Sequence, residues 1–476
     1  MKKRRGLIYF IGFCLLGIVA WTKKYMVPIA TTDEVLSTLV LGSQNLFEVD
    51  FHLIRSVLIY GLILPVLLTL LVLKIEQKIH TTGRRRFVTN LTRFFPLLLV
   101  VFSLFALTKQ FNLKDGLNYY ITKSGKDDFA RLYHDPVKVK FKATAPQSLI
   151  WIYVESLETT YSNKKIFGRD LLAQLNALKI GQISFSQFEQ VTGTEWTIAS
   201  LVASQCGIPL KLVSVFDTNR RFELIKQFLP RATCLSDILA SQGYTNVFLK
   251  GGTLGFAGFN KFLQTHHYQE KHGKNEWLQD GIKKNQLIGW GLPDDLLFEK
   301  AKKTLAKLMH RQKPFNLTIF TVDTHGVDGQ LNESCRGSRG KSFADIVECT
   351  ANQVADFVGY IKKQGWSDNL TIVIMGDHLA MQNAVSDKLL SSPQRYIFNL
   401  ILSSKSLPKN TDRLVHFDLF PTVLHALGFS FPGNKLALGH SVLGEQNSET
   451  DDTRLAQLRN ILSQRSKTYE KLWGFS

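Results

Sequence analysis

The apolar run at residues 370–375 ends in Gly376-Asp377-His378, and this junction constrains the fold more than any other stretch of the chain. Such a run is typical of a strand buried on both faces, as in parallel sheets. A second run, at 148–154, leads into Glu155. Because parallel strands present their carboxyl ends at one edge, these side chains are expected at one crevice, where ligands bind. Carboxylates and an imidazole are what a catalytic divalent metal requires, although a plain strand-end turn would also explain either junction alone.

Strand-like and helix-like runs alternate along most of the chain. The strand-like runs are 148–154, 245–249, 316–322, 370–375 and 396–402, and the helix-like runs include 296–309, 344–363, 418–427 and 453–472. This alternation predicts an α/β fold with a mostly parallel central sheet flanked by helices. We assign it to one large domain at 147–476, preceded by a polar linker at 109–146.

Three apolar stretches indicate a membrane region at residues 1–108. Residues 53–73 are long enough to cross a bilayer. Residues 94–108 are short for a span and would need residues on either side to complete one. The first stretch, 7–21, would also fit a cleaved signal peptide. No clear small-x-small cleavage site follows it, however, and two further apolar stretches come soon after. We therefore expect about three transmembrane helices.

Basic residues determine the expected orientation. Four stand at positions 2–5 and six more between the second and third stretches, which places both segments in the cytoplasm by the positive-inside rule. Three crossings then put everything after residue 108 outside. We expect a multi-pass protein of the bacterial inner membrane with its catalytic domain facing the periplasm. Although the net charge is +19, membrane topology explains the densest basic run, and nucleic-acid binding is not expected.

Four of the five cysteines lie in the part expected outside the cytoplasm. An even number of cysteines in an oxidising compartment indicates disulfides. Of the three possible pairings we favour the two that close short loops, Cys206 with Cys234 and Cys335 with Cys349. No CxxC pair is present, which argues against a zinc ribbon.

A nucleophile candidate follows the first strand in the segment Thr-Gly-Thr-Glu-Trp-Thr at 192–197, where a helix begins. A threonine at a helix start is most often an N-cap. The functional alternative is a nucleophile whose alkoxide is stabilised by a metal and by the helix dipole. Thr194 or Thr197 would thus complete an oxygen-rich site with one nitrogen ligand, suited to Mn²⁺, Mg²⁺ or Zn²⁺. The other ligands of that site would be Glu155, Asp377 and His378.

Two further polar positions follow strand-like runs. His325 comes after the run at 316–322 and alone would be read as a capping or structural histidine. Asp418 precedes an apolar helix and is read as its N-cap.

At these residues the chain resembles the membrane-bound phosphoglycerol transferases of the alkaline-phosphatase/sulfatase-like superfamily. It is most similar to the phosphoglycerol transferase I branch, which decorates osmoregulated periplasmic glucans, and less similar to the lipoteichoic acid synthases. The motifs that carry the resemblance lie at 153–158 (YVESLE), 197–209 (TIASLVASQCGIP), 290–295 (WGLPDD), 321–325 (TVDTH) and 376–381 (GDHLAM). The Cys/Ser-x-Pro-x-Arg signature of true sulfatases is missing, so sulfatase activity is not expected.

The resemblance implies roles for individual residues. Its metal ligands would be Glu155, Asp377 and His378, with Mn²⁺ as the first candidate and Mg²⁺ or Zn²⁺ as alternatives. Thr197 would be the nucleophile and a further ligand, in preference to Thr194. The phosphate or the leaving group would contact His325. The glycerol phosphate region of related enzymes corresponds to Lys250, Phe256 and Trp290.

The activity implied is transfer of phosphoglycerol from phosphatidylglycerol to a periplasmic or cell-surface glycan, through a threonine-bound intermediate and with release of diacylglycerol. One alternative is a phosphoethanolamine transferase acting on an envelope glycan or lipid A, and another is a catalytically silent membrane scaffold. Longer glucan-modifying members continue past the position that corresponds to Ser476, which leaves the acceptor open.

Overall fold

A computed structural model of the protein describes residues 2–25, 51–81, 87–110, 127–211, 227–335, 341–405, 408–444 and 451–474. These residues form two compact units. A helical unit contains the described residues up to 110, and a globular unit contains those from 127 onward. Part of the basic segment used above for the orientation, residues 82–86, lies outside the described residues.

The helical unit consists of α1 (Lys2–Tyr25), α2 (Phe51–Leu58), a π-helical turn (Ile59–Ile63), α3 (Leu64–Thr81) and α4 (Phe87–Gln110). Two stretches are long and apolar enough to cross a bilayer, Arg4–Thr22 and Arg55–Lys78. The third apolar stretch, Phe94–Lys109, is shorter. Length and composition therefore support two candidate spans where three were expected.

Helix α1 packs antiparallel to the continuous helix formed by α2 and α3. Near the start of α1, Arg5 Nη2 lies 3.1 Å from Glu76 Oε1, close to the end of α3. Near the end of α1, Trp21 Nε1 donates a 2.7 Å hydrogen bond to Ser56 Oγ in α2. Since low residue numbers of one helix meet high numbers of the other, the two run in opposite directions.

Helix α4 runs in the same direction as α1. The ring centroids of Tyr9 and Phe95 lie 6.1 Å apart. Further along both helices, Ser103 Oγ donates a 3.1 Å hydrogen bond to the Gly12 carbonyl. A Cβ at Gly12 would lie 2.9 Å from the Leu99 side chain, so glycine permits this close approach. Residue numbers rise together along the two helices, which makes them parallel.

The strands of the globular unit are β1 (Lys142–Ala143), β2 (Ser148–Val154), β3 (Gln187–Glu189), β4 (Thr245–Lys250), β5 (Glu270–His272), β6 (Phe315–Phe320), β7 (Leu370–Gly376), β8 (Asn399–Leu402), β9 (Arg413–Val415), β10 (Phe429–Ser430), β11 (Lys435–Leu436) and β12 (Gly439–His440). Its helices are α5 (Asp128–Leu132), α6 (Lys164–Phe167), α7 (Ala173–Ala177), α8 (Thr197–Cys206), α9 (Leu235–Ser241), α10 (Phe259–Thr265), α11 (Lys274–Gln279), α12 (Asp294–His310), α13 (Phe343–Lys363), α14 (Ser386–Leu390), α15 (His416–Leu427), α16 (Asp451–Leu462) and α17 (Lys467–Leu472).

Six of these strands form the central sheet, in the order β5-β4-β6-β2-β7-β8. The first five run parallel, and β8 pairs antiparallel with β7 at one edge. The predicted α/β fold with a mostly parallel sheet is confirmed. The edge strand begins at Asn399 rather than at 396.

Each face of β2 packs against its own hydrophobic core. Trp151 and Tyr153 belong to one core, where the rings of Tyr153 and Phe320 stack with centroids 4.2 Å apart. Ile150 and Ile152 alternate with them and belong to the other core, which α12 and α13 help to form. Because successive side chains of a strand point to opposite faces, a strand that is apolar throughout must be covered on both. Its carboxyl end is therefore the only part free to carry chemistry.

Two predicted helices differ from the structure. The single helix predicted at 453–472 is divided into α16 and α17, because Ser466 Oγ accepts a 3.0 Å hydrogen bond from the Tyr469 N–H and so starts a new helix. Asp418 is not the N-cap of its helix but the third residue of α15. Its carboxylate accepts the Val415 N–H at 3.0 Å.

Residues 127–146, predicted as the end of a linker, belong to the globular unit. Phe129 in α5 is buried and meets the Tyr469 ring edge-on, with centroids 5.7 Å apart. Asp127 accepts a 2.9 Å hydrogen bond from the Thr468 hydroxyl. One aromatic ring and one carboxylate anchor this polar segment, which its composition did not indicate.

Both predicted disulfides are present in the structure. Cys206 at the end of α8 is bonded to Cys234 at the start of α9. Cys335 is bonded to Cys349 in α13. Each bond closes a short loop, which fits an oxidising compartment.

Replacing Phe129 with alanine should lower the free energy of unfolding by about 3 kcal/mol, because truncation of a buried aromatic ring leaves a cavity. Val137→Ala is the matched control in the same segment: its side chain is 71% exposed, and the change should stay within about 0.5 kcal/mol. Urea unfolding followed by tryptophan fluorescence measures both. Equal effects would contradict the anchoring of this segment.

Candidate active site

Strand register brings the first two acidic candidates together. In the parallel pair β2–β7, Val154 stands opposite Gly376. Glu155 and Asp377 come next and therefore leave the sheet side by side. Both are buried, at 4% and 0% exposure. The expectation that these residues meet at one edge of the sheet is thus met by the structure.

Two backbone N–H groups orient the Asp377 carboxylate. Ser156 and His378 donate to its Oδ1 at 2.8 and 2.9 Å. Its Oδ2 accepts no hydrogen bond from the residues that the structure describes, although it is buried. Burial, followed by repulsion from Glu155, raises the pKa of Asp377 to about 6. One carboxylate oxygen is therefore fixed in place and the other is left for a ligand.

His378 is oriented toward the same point. Its Nδ1 lies 2.9 Å from the Leu379 carbonyl, which assigns the proton to Nδ1. Its Nε2 lies 3.4 Å from Asp377 Oδ2 and 3.6 Å from Glu155 Oε1. In the neutral ring Nε2 thus presents a lone pair to two carboxylate oxygens. An arrangement of this kind suits a shared cation.

These three side chains fit a divalent metal. One ligand atom from each lies within 4.8 Å of the others, and all three residues are buried. Two carboxylates and one imidazole match the preferences of Mn²⁺, Mg²⁺ or Zn²⁺. The unsatisfied Asp377 oxygen is the observation on this structure that supports the fit.

A second cluster of metal-ligand types does not offer the same chemistry. It comprises Cys234, Asp237 and His266. Cys234 is bonded to Cys206 and so has no thiolate to give. Asp237 instead accepts the Cys234 N–H at 2.8 Å and lies 2.8 Å from His266 Nδ1. This cluster is structural.

Three residues that were not predicted from the sequence form hydrogen bonds with the backbone of residues 377–380. This stretch, which carries two of the candidate metal ligands, is called the metal-ligand segment below. His416 Nε2 lies 2.7 Å from the Asp377 carbonyl, and burial lowers the pKa of His416 to about 3, so its ring is neutral and donates. Glu158 accepts the Ala380 N–H at 3.1 Å. Its ion-pair partner Arg395 donates to the carbonyl of the same Ala380 at 2.9 Å. The only sequence signals were a second glutamate in YVESLE and an isolated arginine.

The turn that precedes α8 lies beside the metal-ligand segment. Gln190 Oε1 accepts the Leu379 N–H at 2.7 Å. Within the turn, the buried Glu195 carboxylate accepts the N–H groups of Gly193 and Thr194 at 2.7 and 2.9 Å. Burial raises the pKa of Glu195 to about 7. Through these two hydrogen bonds the buried carboxylate stabilises the conformation of the turn.

The two candidate threonines differ in their surroundings. Thr194 is fully buried, and its hydroxyl donates to the Val191 carbonyl at 2.7 Å. Thr197 is the first residue of α8 and is partly exposed, and Trp196 is the N-cap. The hydroxyl of Thr194 is therefore used by the turn, whereas Thr197 stands at a helix N-terminus, where an anion is stabilised.

The remaining candidates come from the ends of β4 and β6 and from the nearby loops. Lys250 is half-buried with Nζ 3.6 Å from the Phe259 ring centroid, and burial lowers its pKa to about 8 against the attraction of Glu155 and Asp377. The ring of His325 lies 4.4 Å from that of Trp290. Burial, then Lys250 and His378, lowers the pKa of His325 to about 4.

Phe256 opens a short 3-10 turn after β4 and packs partly buried against the core.

Known proteins that are similar to this chain identify its family. A sequence profile of the Sulfatase family matches residues 147–429, more than half of its length. The chain belongs to the Sulfatase family. This Sulfatase-family chain is 35% identical over 342 residues to phosphoglycerol transferase I of Escherichia coli strain K12, and 35% identical over 345 residues to that of Escherichia fergusonii. Each match covers 68% of the chain but 42% of the relative, so the chain spans about two fifths of these curated relatives.

Two solved structures share the Sulfatase-family fold. The lipoteichoic acid synthase LtaP of Listeria monocytogenes aligns with a TM-score of 0.54 at 16% identity, over 73% of this chain and 98% of that one. A protein of the alkaline phosphatase superfamily from Vibrio parahaemolyticus aligns with a TM-score of 0.52 at 17% identity, over 75% and 99%.

Replacing Gly193 with alanine should destabilise the protein by about 3 kcal/mol. Its φ of +86° disfavours a side chain, and an added Cβ would lie 2.6 Å from Pro209 Cβ. Gly243→Ala is the control, since its φ is +82° and no atom lies within 4 Å. It should cost only about 1 kcal/mol. Chemical denaturation measures both, and equal losses would show that packing against Pro209 is not required.

Proposed function

We propose that this protein is a membrane-anchored, metal-dependent phosphoglycerol transferase. It moves the glycerophosphoryl group of phosphatidylglycerol to a hydroxyl of an envelope glycan. The observation that carries the proposal is the convergence of buried Glu155, Asp377 and His378 beside the turn that leads to Thr197. Similarity to phosphoglycerol transferase I supports the group transferred and its donor.

The cation would be held by the three convergent side chains together with the Thr197 hydroxyl, with Mn²⁺ as the first candidate and Mg²⁺ or Zn²⁺ as alternatives. A bound divalent cation supplies Lewis acidity, which polarises a phosphoryl oxygen and favours the alkoxide form of the threonine. Lys250, which is half-buried, would contribute a positive charge for the phosphodiester. Trp290, Phe256 and His325 would line the head-group side.

The proposed reaction has two balanced steps. In the first, the Thr197 oxygen bonds to phosphorus, the bond from phosphorus to the diacylglycerol oxygen breaks, and the threonine proton ends on that oxygen. In the second, the oxygen of an acceptor hydroxyl bonds to phosphorus, the bond from phosphorus to the Thr197 oxygen breaks, and the acceptor's proton ends on that threonine oxygen. His325 would contact the phosphate or the leaving oxygen as a neutral ring, since its pKa is lowered to about 4.

The proposal includes three membrane crossings and a periplasmic globular unit. Helix α4 is 24 residues long, about 36 Å. It is parallel to α1, whereas α3 is antiparallel to α1. This arrangement supports an up-down-up path that starts and returns at the basic segments and ends outside. The two disulfides agree with an extracytoplasmic globular unit.

Incubation of the full-length protein in detergent with phosphatidylglycerol and Mn²⁺, without acceptor, should raise its intact mass by about 154 Da, the glycerophosphoryl adduct of covalent catalysis. Peptide mapping should locate the adduct at Thr197. Thr197→Ala and a chelator should each abolish it. Thr194→Val should keep it, because the Thr194 hydroxyl is bonded within its turn.

Three results would contradict parts of this assignment. An adduct at Thr194 would show that Thr194 is the nucleophile instead of Thr197. An adduct with phosphatidylethanolamine but not with phosphatidylglycerol would indicate a phosphoethanolamine transferase. No adduct with either lipid, from protein that also binds no Mn²⁺, would overturn the enzyme assignment.

The topology is tested by thiol labelling of intact spheroplasts with a membrane-impermeant maleimide, in a Cys14→Ser background. Val137→Cys, at an exposed position of the globular unit, should react without lysis. Lys78→Cys, near the end of α3, should react only after lysis. The reverse pattern would place the globular unit in the cytoplasm.

A further inference from the structure

A groove lies against the open edge of the central sheet, beside β5. Its volume is about 450 Å³. One wall is formed by α12, and the opposite side is formed by β5 and α11. Four basic residues line it: Lys300, Lys303, Lys307 and Arg311. We refer to this feature as the α12 groove.

The four basic residues form one row. Their spacing of three, four and four residues returns each to the same face of a helix. The row extends over eleven residues, about 16 Å at the helical rise. Neighbouring charges are therefore spaced about 5–6 Å apart along the groove. Such a row can contact several charges of one extended ligand.

The positive charges of the row outnumber the acidic side chains that pair with them. Arg311 Nη1 lies 2.8 Å from Glu270 Oε1. Lys303 and Lys307 are exposed and form no ion pair with any residue in the described ranges. By contrast, Lys302 on another face of α12 bonds to Glu299 at 2.7 Å. Two acidic residues also line the groove, Glu270 and Asp280, and Asp280 lies 2.7 Å from His272 Nδ1, so four basic residues face two acidic ones.

A hydrogen bond links the floor of the groove to β4, which ends at Lys250. Trp277 is buried there, and its Nε1 donates to the Lys250 carbonyl at 2.9 Å. The ring of His272 stacks on it with centroids 4.7 Å apart. Lys300 Nζ lies 5.8 Å from the Trp277 ring. Trp277 therefore connects the lining of the groove with the strand that ends at Lys250.

We propose that the α12 groove binds a linear polyanion, the phosphoglycerol-bearing form of the glycan acceptor. This inference rests on the proposed function, because each transfer would add one phosphodiester charge to the acceptor. Attraction between the row of cations and these charges retains a partly modified chain on the enzyme. A chain held in this way undergoes repeated transfer before it dissociates.

The shape of the surface favours a polymer over a bilayer. Head groups of a membrane form a broad sheet, which meets the rim of a groove rather than its lining. A single extended chain can enter the groove and lie along the row. Charge complementarity and concavity together therefore select a linear occupant.

The test measures binding of fluorescently labelled poly(glycerol phosphate) to the full-length protein in detergent. The Lys303→Glu/Lys307→Glu variant should bind at least about tenfold more weakly, since two attractive charges become repulsive. Its affinity should also depend less steeply on salt. Lys302→Glu/Lys362→Glu is the charge-matched control, with both positions outside the groove, and should bind like the unmodified protein. A neutral glucan should not bind.

The outcomes separate the groove from the catalytic proposal. The Lys303→Glu/Lys307→Glu variant should still form the threonine adduct with phosphatidylglycerol, because the donor does not use the groove. Unchanged polymer binding by this variant, or an equal loss in the control, would overturn the groove assignment and leave the adduct result standing. Loss of binding to phosphatidylglycerol vesicles with unchanged polymer binding would overturn it in favour of a membrane contact.

Discussion

Two buried carboxylates placed side by side determine how the active centre is built. Glu155 and Asp377 follow adjacent parallel strands in register, so the sheet itself sets their separation. Like charges so close in a medium of low dielectric constant repel each other strongly unless a cation or a proton neutralises them. Burial and, after it, this repulsion raise the pKa of Asp377. The imidazole of His378 adds a third electron pair at the same point.

The contacts around these metal ligands serve to position the ligands more than to stabilise the fold. The pair formed by Glu158 and Arg395 is buried, and a buried ion pair gains little net free energy after desolvation. Both members, however, bond to the backbone of Ala380, two residues after His378. The neutral ring of His416 does the same for the Asp377 carbonyl. Together they fix the backbone between the two ligands and just after them, which a metal site requires.

The strand ends could be predicted from the sequence, whereas the contacts between distant segments could not. An uninterrupted apolar run predicts a buried strand, and the next polar residue then marks the edge of the sheet, as Asp377 does. The burial of Thr194 depends on how its turn folds over Val191, and no local pattern records this. Phe129 was assigned to a linker because its polar neighbours outnumber it, although its ring reaches a helix more than 300 residues later.

Charge balance distinguishes among the substrates that the fold would admit. With a divalent cation bound and the Thr197 hydroxyl still protonated, the carboxylates of Glu155 and Asp377 would be neutralised, and the neutral ring of His325 would add no charge. Burial lowers the pKa of Lys250 to about 8, and in its protonated form this lysine would leave one positive charge at the site. A phosphodiester monoanion cancels that charge, whereas a phosphate monoester dianion would leave an excess negative charge that burial penalises. The ammonium of phosphatidylethanolamine would restore an excess positive charge. Within the proposed function, this charge balance agrees with a phosphodiester donor whose head group carries no charge.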